Sequence, residues 1–309
     1  MKTLRQSAFL EKRPMLKGAL HCHTTRSDGS GDPADVLRLH RENGYDFVSI
    51  TDHRRYNYEN FAPETGLTLL PGMEMDRNHT GLFGHCFHAV SIGPSREDGN
   101  GFTQDQIFSA GFVSDQREFQ PVIDRLRANH NLVIYCHPGW SGTPARAFEN
   151  LYGYFAMELW NTGCAVENDM DTDNGVIWDE LLMQGKHIYG VATDDGHAMY
   201  QHCKGWVRVN AENNVPAILK ALEAGAFYAS CGPEIYDFVI ENGRATVECS
   251  PCQYIGFCYG RSPYHMQWSA DASLTHAEFD VPEGYRYLRI VVKDAQGRRA
   301  WSNPIFLHA

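Results

Sequence analysis

His21 and His23 stand one residue apart at the end of the apolar run 16–20, and Ser27-Asp28-Gly29 follows a few residues later. In an extended strand alternate side chains share a face, so the two imidazoles point the same way and can hold one metal ion. Imidazoles and carboxylates recur where other apolar runs finish. His53 follows 47–51, Glu74 follows 67–70, His88 lies within 86–92, His137 follows 132–136, and Asp195 and His197 follow 188–193. Together with Asp28 these make nine metal-competent side chains. A structural zinc site uses four, so the number suits two or three divalent ions instead. A lone histidine in an apolar strand is as readily a satisfied core residue as a ligand, but six of them at strand ends weaken that reading steeply.

An alternation of strand-like and helical patterns carries these residues. Asp32-Pro33 reads as a cap and first helical position, continued by Val36, Leu37, His40 and Arg41 until Gly44. Helical patterns follow at 120–128, at 176–184 closed by Gly185, and at 215–224 stopped by Gly225, while 155–160 and 205–209 read as further strands. Alternating β and α elements with chemistry where strands finish predict a closed (β/α) barrel, although the early strands come too close together for an ideal eightfold one. Beyond Pro233 the pattern changes. Short strands at 235–240, 245–249, 254–259, 276–281, 288–292 and 300–306 are separated in several places by turns such as Asn242-Gly243, Glu283-Gly284 and Gln296-Gly297, which predicts a small β-sandwich. The expected organisation is a lead-in over 1–16, a barrel over 17–232 and a β-sandwich-like domain over 233–309.

Composition narrows the function classes. A chain of 309 residues is long enough for a barrel and a small module. Its net charge of −11 argues against a general nucleic-acid or membrane binder, which needs a basic footprint. The segment 1–17 has no continuous apolar stretch, and no run approaches the roughly 18 apolar residues of a membrane span, so the expectation is a cytoplasmic protein. The nine cysteines read as small buried hydrophobes. Cys249 and Cys252 lack the second half that would complete a zinc site.

Two segments stand apart. The mostly polar stretch 94–118, with Phe102, Phe108 and Phe112, reads equally as a lid over the site or as a surface insertion. Asp169, Asp171 and Asp173, with Glu180 further on, have the flavour of a calcium loop, but the glycine falls one place late, at Gly175. A solvated loop capped by Asp173 or Asn174 is the expected reading.

The sequence resembles the PHP (polymerase and histidinol phosphatase) metal-dependent phosphoesterases. The resemblance rests on H-C-H-T-T-R-S-D-G at 21–29, T-D-H at 51–53, P-G-M-E at 71–74, H-A-V-S-I-G at 88–93, C-H-P at 136–138 and D-D-G-H at 194–197, all in the family's order. G-R-R-A-W-S-N-P at 297–304 is similar to the closing segment of the CehA/McbA-type members. The resemblance implies a distorted (β/α)7 barrel with a trinuclear site. His21, His23, Glu74 and Asp195 would hold one ion, Glu74, His88 and His137 a second, and Asp28, His53 and His197 a third. The family often has histidine where Asp28 stands. Its pattern also favours His88 over the nearby His85, and Asp195 over Asp194.

Three divalent ions would carry about six positive charges against the carboxylates of Asp28, Glu74 and Asp195, a surplus suited to phosphate. The expected function is hydrolysis of small phosphate esters by a metal-bound water, with manganese, iron or zinc as the cations. Arg26, Arg54, Arg55 and Lys204 adjoin the motifs and would clamp phosphate, though surface charge beside a site is as good a reading for each. His202 is the candidate general acid, and Glu158 and Asn161 are candidates to orient ligands. Two alternatives remain: hydrolysis of a carbamate or other carboxylic ester, and a binding protein whose barrel is a relic and whose tail offers Tyr254, Tyr259, Tyr264 and Trp268. The sequence leaves the oligomeric state open.

Overall fold

The computed structural model describes residues 5–9, 15–79, 84–169, 173–260 and 265–307. Strands β1 (Arg5–Ser7), β2 (Leu16–Ala19), β3 (Phe47–Val48), β4 (Thr68–Leu69), β5 (Gly72–His79), β6 (Phe87–Ile92), β7 (Phe112–Val113), β8 (Leu132–Tyr135), β9 (Ala156–Asn161), β10 (Tyr189–Thr193), β11 (Trp206–Val209) and β12 (Phe227–Ser230) form the first part of the chain. Among them lie helices α1 (Pro33–Glu42), α2 (Gln116–Ala128), α3 (Ala145–Phe148), α4 (Thr162–Asn168), α5 (Gly175–Met183) and α6 (Val215–Glu223).

Helix α1 starts where its sequence dictates. The Asp32 side chain accepts the Ala34 N–H, Pro33 occupies the first turn, and Val36, Leu37 and His40 form the buried stripe. Helix α2 begins four residues before the expected Gln120, because the Asp115 carboxylate accepts the Arg117 N–H at 2.8 Å. Pro121 is carried inside it at the loss of one main-chain hydrogen bond.

Strands β2, β3 and β4 run parallel, β6 runs antiparallel between β5 and β8, and β8, β9 and β10 are again parallel. Two isolated parallel bridges close the circuit, His53 to Glu74 and Cys22 to Gly196. With β4 and β5 forming one stave through Pro71, seven staves surround the interior: the barrel is a distorted (β/α)7. Strand β11 adds antiparallel to β2 and packs on β10. Leu20, Val90, Ile134, Ala156, Val191 and Val207 fill the interior below the strand ends, all completely buried.

The tail contributes β13 (Ile235–Glu241), β14 (Arg244–Cys252), β15 (Tyr254–Cys258), β16 (His265–Trp268), β17 (Leu274–Asp280), β18 (Tyr287–Lys293), β19 (Arg299–Ser302) and β20 (Ile305–Phe306). Strands β1, β13, β14 and β17 form a separate four-stranded antiparallel sheet. Phe238, Val247, Ile255, Phe257, Ile290 and Val292 pack in one buried cluster against it, giving the small β fold expected for the tail. The sequence did not disclose two of its features. Strand β1 from the N-terminal segment pairs with β13, and β16, β15, β18 and β19 continue through β12 and β11 onto β2 as one sheet. All nine cysteines are unpaired and seven are buried; the Sγ atoms of Cys249 and Cys252 lie 3.7 Å apart. Among the described residues no helix is long and apolar enough to cross a membrane.

Candidate metal centre

His21 and His23 follow β2 on either side of Cys22, whose bridge to Gly196 fixes both rings toward the interior, where they are fully buried. The Nδ1 of His21 lies 2.7 Å from Glu158 Oε1; donating there, it leaves Nε2 of the neutral ring a bare acceptor. That Nε2 is 3.2 Å from His23 Nε2, 3.4 Å from Glu74 Oε2 and 3.2 Å from Asp195 Oδ1. Four acceptor atoms at such distances require a cation among them, whether a proton or a metal ion.

The nine sequence-distant residues come together as three overlapping groups: His21, His23, Glu74 and Asp195; Glu74, His88 and His137; and His23, Asp28, His53 and His197. Within each, ligand atoms lie within 4.8 Å of one another. His88 Nδ1 and His137 Nε2 approach Glu74 Oε1 at 3.0 and 3.4 Å. His53 Nε2 and His197 Nε2 each lie 3.5 Å from an oxygen of Asp28, while His197 Nδ1 is 3.0 Å from the Asp195 carbonyl, which orients the ring. His137 and Asp195 sit at positive φ, +27° and +49°, at the turns that end their strands. Glu74 Oε2, Asp195 Oδ1 and His88 Nε2 are buried without a hydrogen-bond partner among the described residues, so the donor set fits divalent cations. A further cluster, His21, Cys136 and Glu158, does not: His21 already contacts Glu158, and burial pushes the Cys136 thiol far up, keeping it protonated.

The electrostatics have one theme. Burial opposes charge on His53, yet Glu74, Asp76 and Asp28 outweigh it and push the ring up to about 11. His197 is treated in the same way, to about 9, by Asp28 and Asp195 against burial. Burial also resists charge on Glu74, but the His53, His21 and His88 rings hold its carboxyl well below the usual range. Without cations, therefore, protons on the imidazoles balance the carboxylates.

A buried frame of hydrogen bonds holds the metal-competent side chains. Glu158 meets His21 Nδ1 and Thr193 Oγ1 through Oε1, both at 2.7 Å, and accepts the His137 N–H at 2.8 Å and Asn161 Nδ2 at 2.9 Å through Oε2. Asn161 also donates to Asp195 Oδ2 at 3.0 Å. Since partners of this kind commonly govern metal affinity by 10–100-fold, Glu158→Gln, which turns one acceptor into a donor, is expected to weaken metal binding by roughly that factor in a chelator competition. Asp194 faces the other way and accepts the backbone N–H groups of Cys203, Lys204 and Gly205 at 2.6, 3.0 and 2.7 Å. Burial raises its carboxyl to about 6 against those bonds. Asp194→Ala strands three donors and is expected to lower stability by roughly 3 kcal/mol in urea unfolding, at about 1 kcal/mol or more for each buried group left unsatisfied.

The sequence reading missed several residues. Asp52 of T-D-H is buried and accepts the Thr24 N–H and Oγ1–H at 2.8 Å and the Ser27 hydroxyl at 2.7 Å, fixing the loop that presents Asp28. In that loop a Cβ on Gly29 would fall 2.6 Å from the backbone of His23, which explains S-D-G. Asp76 lies 3.2 Å from His53 Nδ1 and pairs with Arg54. Trp140 stands at the mouth, its ring 4.9 Å from His137 and 5.9 Å from His88. A cavity of ≈ 200 Å³ opens over the ligands, with Trp140, Cys164 and Glu167 also on its wall.

The other candidates divide. Arg26, Arg54 and Arg55 line an adjoining cavity of ≈ 290 Å³ that shares Asp28 and His53 with the first. Each is already held: Arg26 by Asp105 and, at 2.6 Å, Asn57; Arg54 by Asp76; Arg55 by Asp105 at 3.0 Å. Asp105 and Ile107 bring segment 94–118 to the rim of that cavity, while Phe102 and Phe108 are buried beneath. Lys204 is exposed and lines neither cavity. His202, the candidate acid, stands back from both cavities. It is buried against His40, and burial with the neighbouring His40, His23 and His197 pushes it down to about 3. His85 is half-buried and outside both cavities. In the calcium-like stretch Asp171 lies outside the described residues, as does Tyr264; Asp173 accepts the Gly175 N–H at 3.0 Å and joins no metal-competent cluster among the described residues.

No family model matches the sequence, and no curated protein does. The structure is similar to that of a two-domain protein containing a predicted PHP-like metal-dependent phosphoesterase from Bacteroides vulgatus, with a TM-score of 0.50 and 15% identity over 98% of each chain. An amidohydrolase from Chromobacterium violaceum, solved with sulfate and no metal, is similar at a TM-score of 0.45 and 14% identity, over 68% of this chain and 96% of that one. In fold, then, the chain is an α/β protein of the two-domain PHP-like kind, a distorted barrel followed by a small β domain.

Proposed function

We propose that the protein is a metal-dependent hydrolase of small phosphate esters. The observation that carries this reading is Glu74, a carboxylate only 1% exposed with five imidazoles, those of His21, His23, His53, His88 and His137, within 3.4 Å of its oxygens. Divalent cations of the manganese, iron or zinc class, held by the three groups around Glu74, Asp195 and Asp28, would supply an acidified water and neutralise phosphoryl oxygens.

The chain's own residues do the rest. Glu158 and the Asp195 carbonyl fix ring orientation, so that His21 and His197 each turn a single nitrogen toward the carboxylates of the centre. Arg26, Arg54 and Arg55 line the adjoining cavity, where guanidinium forks suit phosphate oxygens and where their present carboxylate partners hold them in place. Trp140 covers His137 and His88 and offers an apolar wall to the leaving group. The test is a panel of phosphate monoesters, phosphodiesters and aryl carbamates with protein loaded with manganese, zinc or iron(II). Turnover of phosphate esters is expected; carbamates hydrolysed while every phosphate ester stays intact would overturn the reading.

A further inference from the structure

A separate cavity of ≈ 460 Å³, within the size range of small-molecule sites, opens between α5 and the C-terminal strands and shares no lining residue with the metal pocket. Its wall includes Gly175 and Val176 from the first turn of α5, Tyr254 from β15, Arg289 and Lys293 from β18, and Trp301 from β19.

Unmet donors distinguish this wall. Arg289 is 3% exposed, and its Nε and Nη2 donate to Asp179 at 2.8 and 2.5 Å, while the Tyr287 hydroxyl donates to the same carboxylate at 2.7 Å. The guanidinium is therefore fixed, its carbon also 4.8 Å from the centre of the Trp178 ring, yet its remaining nitrogen, Nη1, has no hydrogen-bond partner among the described residues. Trp301 is 1% exposed and its Nε1–H is equally without one. An unmade buried hydrogen bond costs about 1–3 kcal/mol, so two on one cavity wall create a demand for an acceptor. Lys293 adds a cation with no carboxylate partner among the described residues. Helix α5 directs its positive end to the same wall, and its N-cap residue Asn174 makes no side-chain cap but donates to the Glu158 carbonyl at 3.2 Å. Both carboxylates on the wall are engaged, Asp179 as above and Asp173 by the Gly175 N–H and by Arg299 at 3.4 Å.

We propose that this cavity binds a small organic molecule with an oxyanion head, carboxylate or phosphate, which takes the free donors of Arg289, Trp301 and Lys293 while its body lies on Val176 and Val291. The test is calorimetric titration of the full chain with inorganic phosphate and, separately, benzoate, which distinguish the two head groups. Wild type, Lys293→Gln, Trp301→Phe and Glu74→Gln are compared. Saturable binding of at least one anion is expected, weakened about tenfold by Lys293→Gln and by Trp301→Phe and unchanged by Glu74→Gln. Trp301→Phe removes an unpaired donor and keeps the ring, so its Tm stays level or rises while its affinity falls, which a merely structural role would not produce. The proposal is overturned by no binding up to about 10 mM, by binding that both cavity variants leave intact, or by binding lost in Glu74→Gln, which would place the anion in the metal pocket.

Discussion

Glu74→Gln is expected to lower kcat/KM by roughly 10³-fold or more, about 4 kcal/mol of transition-state stabilisation. The size follows from position. Glu74 serves two of the three ligand groups, so its loss disturbs both at once, and an amide supplies neither the charge nor the second acceptor oxygen. The fold is expected to survive, because in the metal-free protein a neutral amide replaces a buried charge that protonated imidazoles had to balance. The two measurements to pair are bound metal per chain and Tm of the metal-free variant. Metal content falls while Tm stays within about 4 °C. Wild-type turnover with unchanged metal content would remove Glu74 from the centre and the proposed function with it.

Asp28→Ala separates a third cation from a pair. Asp28 is more than half exposed and its oxygens are 3.5 Å from His53 Nε2 and His197 Nε2, so its removal leaves the Glu74-centred groups intact. Burial of Asp28 is outweighed by His197, His23 and His53, which hold its carboxyl low and ready to ligate at neutral pH. The expected outcome is one metal equivalent fewer per chain with a loss of about 10²-fold in kcat, the range seen when a single electrostatic contributor is removed from a reacting centre. Anomalous scattering would locate the missing ion. If metal stoichiometry is identical in the variant and the wild type, Asp28, His53 and His197 are not an ion site.

What the sequence revealed follows from what periodicity encodes. Alternation in a strand specifies which side chains share a face, so His21 and His23 were legible as a pair, and a strand end is recognisable from where the apolar run stops. The metal-competent residues on β5 and β6 and just after β8 were therefore traceable although β6 runs against its neighbours. Facing across a turn is not encoded in this way. His202 lies five residues beyond His197 in sequence but is buried against His40, and Lys204 lends only its backbone N–H to Asp194. Asp52 and Asp76 work through tertiary contacts to loop 24–29 and to His53, which a single sequence has no means of displaying. The same limit hid the pairing of β1 with β13, since two strands more than 200 positions apart carry no mark of their partnership. The early start of α2 was visible in principle, since Asp115 is a good cap.

The barrel's two narrowest joints have a consequence beyond catalysis. One is the bridge between His53 and Glu74, both metal-competent, which carries the β3–β4 pairing on to β5; the other links Cys22, between two metal-competent histidines, to Gly196, between Asp195 and His197. A hoop fastened at two clasps opens at the clasps first, and here the clasps are made of the residues that would grip the ions. Anything that binds the closed ring and not the open one stabilises it by mass action. Cation loading and the integrity of the hoop would then be one equilibrium, so that starvation for metal loosens the scaffold itself at the seams beside the site.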